Sequence, residues 1–138
     1  MDPHPDDHVI VIAATPIVTV SRRATLRQAA KALRTANIGA LVVLPDHGKP
    51  LGIISERDVV RALADGANPD EVWAADIMTE EPRYITPAQT IRSATEEMLT
   101  VGVRHLPVID EGEVVGMVAA RDALRVLSAA VAERQLAR

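Results

Sequence analysis

Gly52-Ile53-Ile54-Ser55-Glu56-Arg57-Asp58 recurs in outline 64 residues downstream as Gly116-Met117-Val118-Ala119-Ala120-Arg121-Asp122. In each copy a glycine and two apolar residues read as the end of a strand, and a small residue followed by charged ones reads as the start of a helix. A strand-to-helix junction leaves the N–H groups of the first helical turn without intrahelical partners, facing whatever lies beyond the strand. It is a place to hold a polar ligand.

Outward from the junctions, the duplication covers most of the chain. Ala14-Thr15-Pro16-Ile17-Val18-Thr19-Val20 corresponds to Glu80-Glu81-Pro82-Arg83-Tyr84-Ile85-Thr86, Thr25-Leu26-Arg27 to Thr90-Ile91-Arg92, and residues 38–44 to 103–109. The offset falls from 66 to 65 to 64, one residue at each of two loops, where length changes are tolerated. Thr25 is a good N-cap with Gln28 three residues on, and Leu26, Ala29, Ala30 and Leu33 then share one helical face. Asn37 and Gly39 suit the helix end. Residues 40–44 and 51–54 read as a strand pair around the loop 45–49, and a helix follows from Glu56 to about Ala64, stopped by Gly66. The second copy predicts a helix opened by Thr90 through Met98, strands at 106–109 and 114–118, and a helix from Ala120 to about Ala130. Both read strand, helix, strand, strand, helix.

Strands so nearly unbroken in apolar residues are covered on both faces, and one repeat of about 60 residues cannot bury them alone. The predicted fold is therefore α/β, two β-α-β-β-α repeats packed about a pseudo-two-fold axis. Residues 1–8, with two prolines and a run of ionisable side chains, are expected to be a disordered lead-in. Repeat 1 is expected over 9–67, a linker helix and repeat 2 over 68–130, and a helical tail over 131–138.

Composition narrows the function. The 138 residues are 48% hydrophobic and 25% charged, with 19 acidic against 15 basic side chains and a net charge of −4. Nothing there favours a phosphate backbone, so no nucleic-acid partner is expected. No apolar run approaches the roughly 20 residues of a membrane span, and the first eight residues are acidic where a secretory signal would be basic. The expectation is a cytoplasmic protein without a membrane partner. The absence of cysteine excludes disulfides, thiolate metal sites and thiol nucleophiles. His4 and His8 are four apart, but Pro5 between them prevents the helix that would pair them on a metal, and no metal site is expected. There is no glycine-rich phosphate loop followed by Lys and Ser or Thr, and no Ser, His and carboxylate set, so no catalytic residues are assigned and no enzyme is expected.

The duplicated unit, the lead-in Val72-Trp73-Ala74-Ala75-Asp76-Ile77-Met78-Thr79, the strand Arg104-His105-Leu106-Pro107-Val108-Ile109-Asp110 and the two Gly-to-Asp junctions together resemble a tandem pair of CBS domains, a Bateman module. The likeness runs from about Val9 to Leu127. It implies a regulatory module that binds AMP, ADP, ATP or S-adenosylmethionine in clefts between the repeats, requires no other cofactor, and assembles as a homodimer of pairs. With no effector domain on the chain, the signal would pass to a partner protein.

Carried over residue by residue, the resemblance gives Ser55 and Asp58 the ribose hydroxyls, with Asp122 as the equivalent in repeat 2, where Ala119 replaces the hydroxyl. Arg104 and His105 would meet phosphate, their repeat 1 counterparts being Gly39 and Ala40. Ile77 and Met78 would wall the adenine beside Ser55 and Asp58, and Ile12 would do so beside Asp122. Taken alone, Ser55-x-x-Asp58 is also a capping box that needs no ligand. The alternative function is thus a ligand-free structural dimer, for which Val59, Val60, Leu63, Leu124, Val126 and Leu127 offer apolar surface.

Overall fold

Thr25 opens the first helix as expected: its hydroxyl accepts from the Gln28 N–H at 3.2 Å while the Gln28 side chain accepts from the Thr25 N–H at 2.9 Å. The helix, α1 (Leu26–Ala36), ends on Asn37 in the left-handed conformation, φ 54°. In the computed structural model, which describes residues 2–137, the mixed α/β chain divides into two units, Pro16–Pro82 and Met1–Thr15 together with Arg83–Arg138.

The 16–82 unit is a four-stranded sheet with helices. β1 (Thr19–Ser21) runs parallel to β2 (Ala40–Leu44), β2 antiparallel to β3 (Gly52–Ser55), and β3 antiparallel to the short β4 (Thr79–Glu80). β3 runs straight into α2 (Glu56–Ala64), and α3 (Ala74–Ile77) precedes β4. Residues 40–43 are all buried, so both faces of β2 are covered, as its unbroken apolar run requires. Leu26, Ala29 and Leu33 of α1 meet Leu41, Val43, Ile54, Val59 and Ala74 in one core.

The other unit carries the same plan with shorter edges. A 3-10 turn at Val9–Ile12 precedes α4 (Ile91–Val101), β5 (His105–Asp110), β6 (Glu113–Ala119) and α5 (Ala120–Leu136). β5 and β6 pair antiparallel, Leu106 opposite Val118 and Val108 opposite Gly116. The expected first strand is reduced to one parallel bridge, Ile85 to Val108. Pro87 follows two residues later and Pro107 offers no N–H, so the ladder cannot extend. A bridge from Ala14 to Met117 stands where β4 lies on β3 in the first unit. The core joins Val9 to Ile85, Ile91, Met98, Leu106, Val108, Val118 and Val126.

Two expectations about the domain plan are corrected. Residues 2–8 are not a loose lead-in: Pro5 is buried, and the carbonyls of Asp7 and Pro5 accept from the Ile91 and Arg92 N–H groups at 3.0 and 2.8 Å, while Arg92 Nε donates to Asp6 at 3.0 Å. The orphan donors of the first turn of α4 are what hold this segment. Met1 and Arg138, the outermost residues of the expected lead-in and tail, lie outside the described residues. The repeat boundaries are also crossed. The linker helix, α3, packs with repeat 1, because Ala74 is buried among Leu26, Leu41 and Ile54, and residues 9–15 pack with repeat 2 through Val9.

The two crossings are copies of one device. Leu26 and Arg27 donate to the Val72 and Pro69 carbonyls at 2.8 and 2.9 Å, and Arg27 pairs with Asp70, as Ile91 and Arg92 do with Asp7, Pro5 and Asp6. Among the described residues no polar or charged side chain is buried, and no helix is long and apolar enough to cross a membrane.

Candidate functional site

The junction of β3 and α2 is built on a glycine with no room for a side chain. A Cβ on Gly52 would overlap the Thr79 carbonyl oxygen and come within 3.1 Å of Met78 Sδ, so β4 and Met78 lie directly against the strand. Three residues on, Ser55 caps α2: its Oγ accepts from the Asp58 N–H at 3.2 Å, and Asp58 Oδ2 accepts from Ser55 N–H and Oγ–H at 2.9 and 3.0 Å. The capping box that the spacing allowed is formed. It consumes one carboxylate oxygen. Oδ1 of Asp58 keeps a loose 4.0 Å ion pair with Arg61, and the side chain is 11% exposed. Gly39 lies alongside, its carbonyl accepting from Glu56 N–H at 2.9 Å, and Ala40 faces Ser55 across the sheet. Ile77 and Met78 are half-buried against the same core.

The junction of β6 and α5 differs at its cap. Ala119 offers no side chain to the helix, and Asp122, 38% exposed, instead accepts from Arg125 Nη1 at 3.3 Å. Here too the glycine marks a close approach. A Cβ on Gly116 would lie 3.0 Å from that of Ala13 and 3.3 Å from the Ala14 carbonyl. Arg104 and His105 stand at this end of the hairpin, the Arg104 carbonyl accepting from Ala120 N–H at 2.8 Å and His105 facing Ala119.

Next to this junction is a cavity of about 460 Å³ lined by Asp2, Pro3, Ile12, Asp122, Arg125, Val126 and Ala129. Ile12 and Asp122, paired from the sequence, thus share a wall. Arg104 and His105 do not line it. Asp2, Pro3 and Arg125 were not singled out from the sequence, although signals existed for them. Arg125 follows Asp122 as Arg61 follows Asp58, and Pro5-Asp6-Asp7 repeats Pro69-Asp70-Glu71, which marks the N-terminal segment as a docked element. Around the Arg92 pair the Asp6 carboxyl is held below its ordinary value, first by the hydrogen bond from Arg92. Among the described residues no three His, Asp or Glu side chains converge as a metal set.

Comparison with known proteins gives this geometry a lineage. The CBS domain matches twice, at residues 9–65 and 74–129. An uncharacterised protein of Methanopyrus kandleri is 34% identical over 117 residues, which are 83% of this chain and 60% of that protein, so the chain spans less than two thirds of that relative. Two solved structures share the fold and more than a quarter of the sequence. The CBS domain pair of protein MJ0100, in complex with 5′-methylthioadenosine and S-adenosyl-L-methionine, is 28% identical with a TM-score of 0.81, covering 91% of this chain and 98% of that one. The CBS domain protein PAE2072 from Pyrobaculum aerophilum, complexed with AMP, is 26% identical with a TM-score of 0.78, covering 88% and 98%. Two matched repeats over most of its length, on the fold of solved CBS pairs, make this chain a tandem member of the CBS-domain family.

Proposed function

We propose that the chain is a cytoplasmic regulatory module that takes an adenosine-type ligand at its strand-to-helix junctions and passes the bound state to a partner protein. The observation that carries this reading is the Asp58 carboxylate, whose Oδ2 closes the cap while Oδ1 has only a 4.0 Å pair with Arg61. An ionised acceptor facing ribose hydroxyls contributes about 1.5–3 kcal/mol. Ser55 and Asp58 hold the ribose in the 16–82 unit with Ile77 and Met78 against the base, and Asp122 with Ile12 does so in the other unit. For a ligand that carries phosphate, Arg104 supplies positive charge and His105 a hydrogen-bond donor at the end of the β5–β6 hairpin. The ligands named for PAE2072 and for the MJ0100 pair, AMP and S-adenosyl-L-methionine with its thioether relative, support the ligand class.

A thermal-shift series against adenosine, AMP, ADP, ATP and S-adenosylmethionine tests the reading. A ligand at 100 times its dissociation constant adds about 2.7 kcal/mol, a rise on the order of 10 °C for a chain of this size. The rise is expected to vanish in Asp58→Ala for a ligand at that junction. A flat panel would move the assignment to the second reading, a ligand-free homodimerisation module. The completed cap favours that alternative, as do Val60 and Leu63 on α2 and Leu124 on α5, which are 65%, 48% and 61% exposed.

A further inference from the structure

The cavity beside Asp122 carries its charge on three side chains, and their sum is negative. Asp2 and Asp122 bring two carboxylates, and Arg125 brings one guanidinium, already donating to Asp122 at 3.3 Å. The rest of the wall, Pro3, Ile12, Val126 and Ala129, is apolar. Asp2 is delivered by the docked N-terminal segment, which the Pro5 and Asp7 carbonyls and the Asp6 carboxylate fasten to the first turn of α4. Arg104 and His105, the basic residues nearest in the hairpin, are not on this wall.

We propose that this cavity selects a phosphate-free adenosine-type ligand, neutral or cationic, over a nucleotide, and that Asp2 on the docked segment is the specificity-determining group. The inference rests on the ligand class proposed above. An apolar slot suits a base, and the Asp122 carboxylate, once free of Arg125, accepts from ribose hydroxyls. A phosphate beside the net negative wall meets repulsion. One added negative charge about 6 Å from that wall lowers affinity between about threefold and about a hundredfold as the effective dielectric falls from ~80 to ~20.

Isothermal titration of the full chain with adenosine, 5′-methylthioadenosine and AMP decides the matter, with Asp122→Asn and Asp122→Ala identifying which binding event belongs to this cavity. The Asp122-dependent event is expected to favour the two phosphate-free ligands over AMP by about tenfold. Asp2→Asn is expected to narrow that ratio at least threefold by tightening AMP, and Asp2→Lys to narrow it further, with adenosine affinity little changed. AMP binding there as tightly as adenosine, or a ratio indifferent to both Asp2 variants, overturns the selection while leaving the adenosine reading intact. If none of the ligands binds in an Asp122-dependent way, the reading itself fails at this junction, and the selection with it.

Discussion

Ser55 and Asp58 answer to two demands, and the geometry lets both be met. Oδ2 of Asp58 and Oγ of Ser55 close the helix cap, while Oδ1 is held only by a 4.0 Å pair with Arg61. Ser55→Ala is therefore expected to cost about 1 kcal/mol in chemical denaturation whether or not ligand is present, the ordinary worth of a cap. Asp58→Asn keeps an acceptor in place but removes the charge, so its effect should fall more on ligand affinity than on unfolding. Gly52 is constrained differently. A methyl there runs into the Thr79 carbonyl and Met78, and Gly52→Ala is expected to destabilise by about 1–3 kcal/mol as β4 is pushed off the sheet. The same substitution at Gly66, where the space is open and only φ +91° resists, should act through backbone strain alone.

Among the elements, the docked N-terminal segment is the feature that most departs from the sequence reading. Arg92 with Asp6, and Arg27 with Asp70, fasten equivalent segments to equivalent helices. Both aspartates have carboxyl pKa values held below the ordinary 3.8, in each case chiefly by the hydrogen bond from the arginine. A depressed folded pKa contributes stability that is present above the unfolded value and is lost as pH falls through the folded one. Docking of residues 2–8 is thus expected to be intact above pH about 4 and to loosen in stronger acid, an effect readable as faster amide exchange at Ile91 and Arg92. Arg92→Ala should abolish that acid dependence. Helices and central strands were legible because their signals are local: Thr25 with Gln28, the apolar run at residues 40–44, Gly66 after α2. The N-terminal segment was misread because a short stretch with two prolines and many charges looks solvated on composition. What holds it is a set of carbonyls whose partners, the first N–H groups of α4, lie more than eighty residues away. The site divides in the same way. Asp58 and Asp122 stand in the repeat itself, whereas the cavity wall formed by Asp2 and Pro3 depends on that distant docking.

For the whole molecule, self-association is the open arrangement with the clearest handle. Val59 and Val126, read from the sequence as surface for a partner, are turned into the cores of their own units at 8% and 6% exposure. Val60, Leu63 and Leu124 remain outside. If they meet a second copy, light scattering at tens of micromolar should give twice the 14.8 kDa chain mass, and Leu63→Glu with Leu124→Glu should return it to the monomer value. A monomer mass for the unaltered chain would remove the dimer from both functional readings.

The crossed boundaries also set an order of events at the ribosome. Residues 16–82 emerge as one uninterrupted block and hold every partner of their core, so that unit can close while the rest of the chain is still being made. Val9 cannot settle so early. Its neighbours Ile85, Ile91, Leu106 and Val126 arrive only after that first unit has been made. An apolar turn, Val-Ile-Val-Ile, must wait in water until then, and the unit that carries Asp122 is completed after the other.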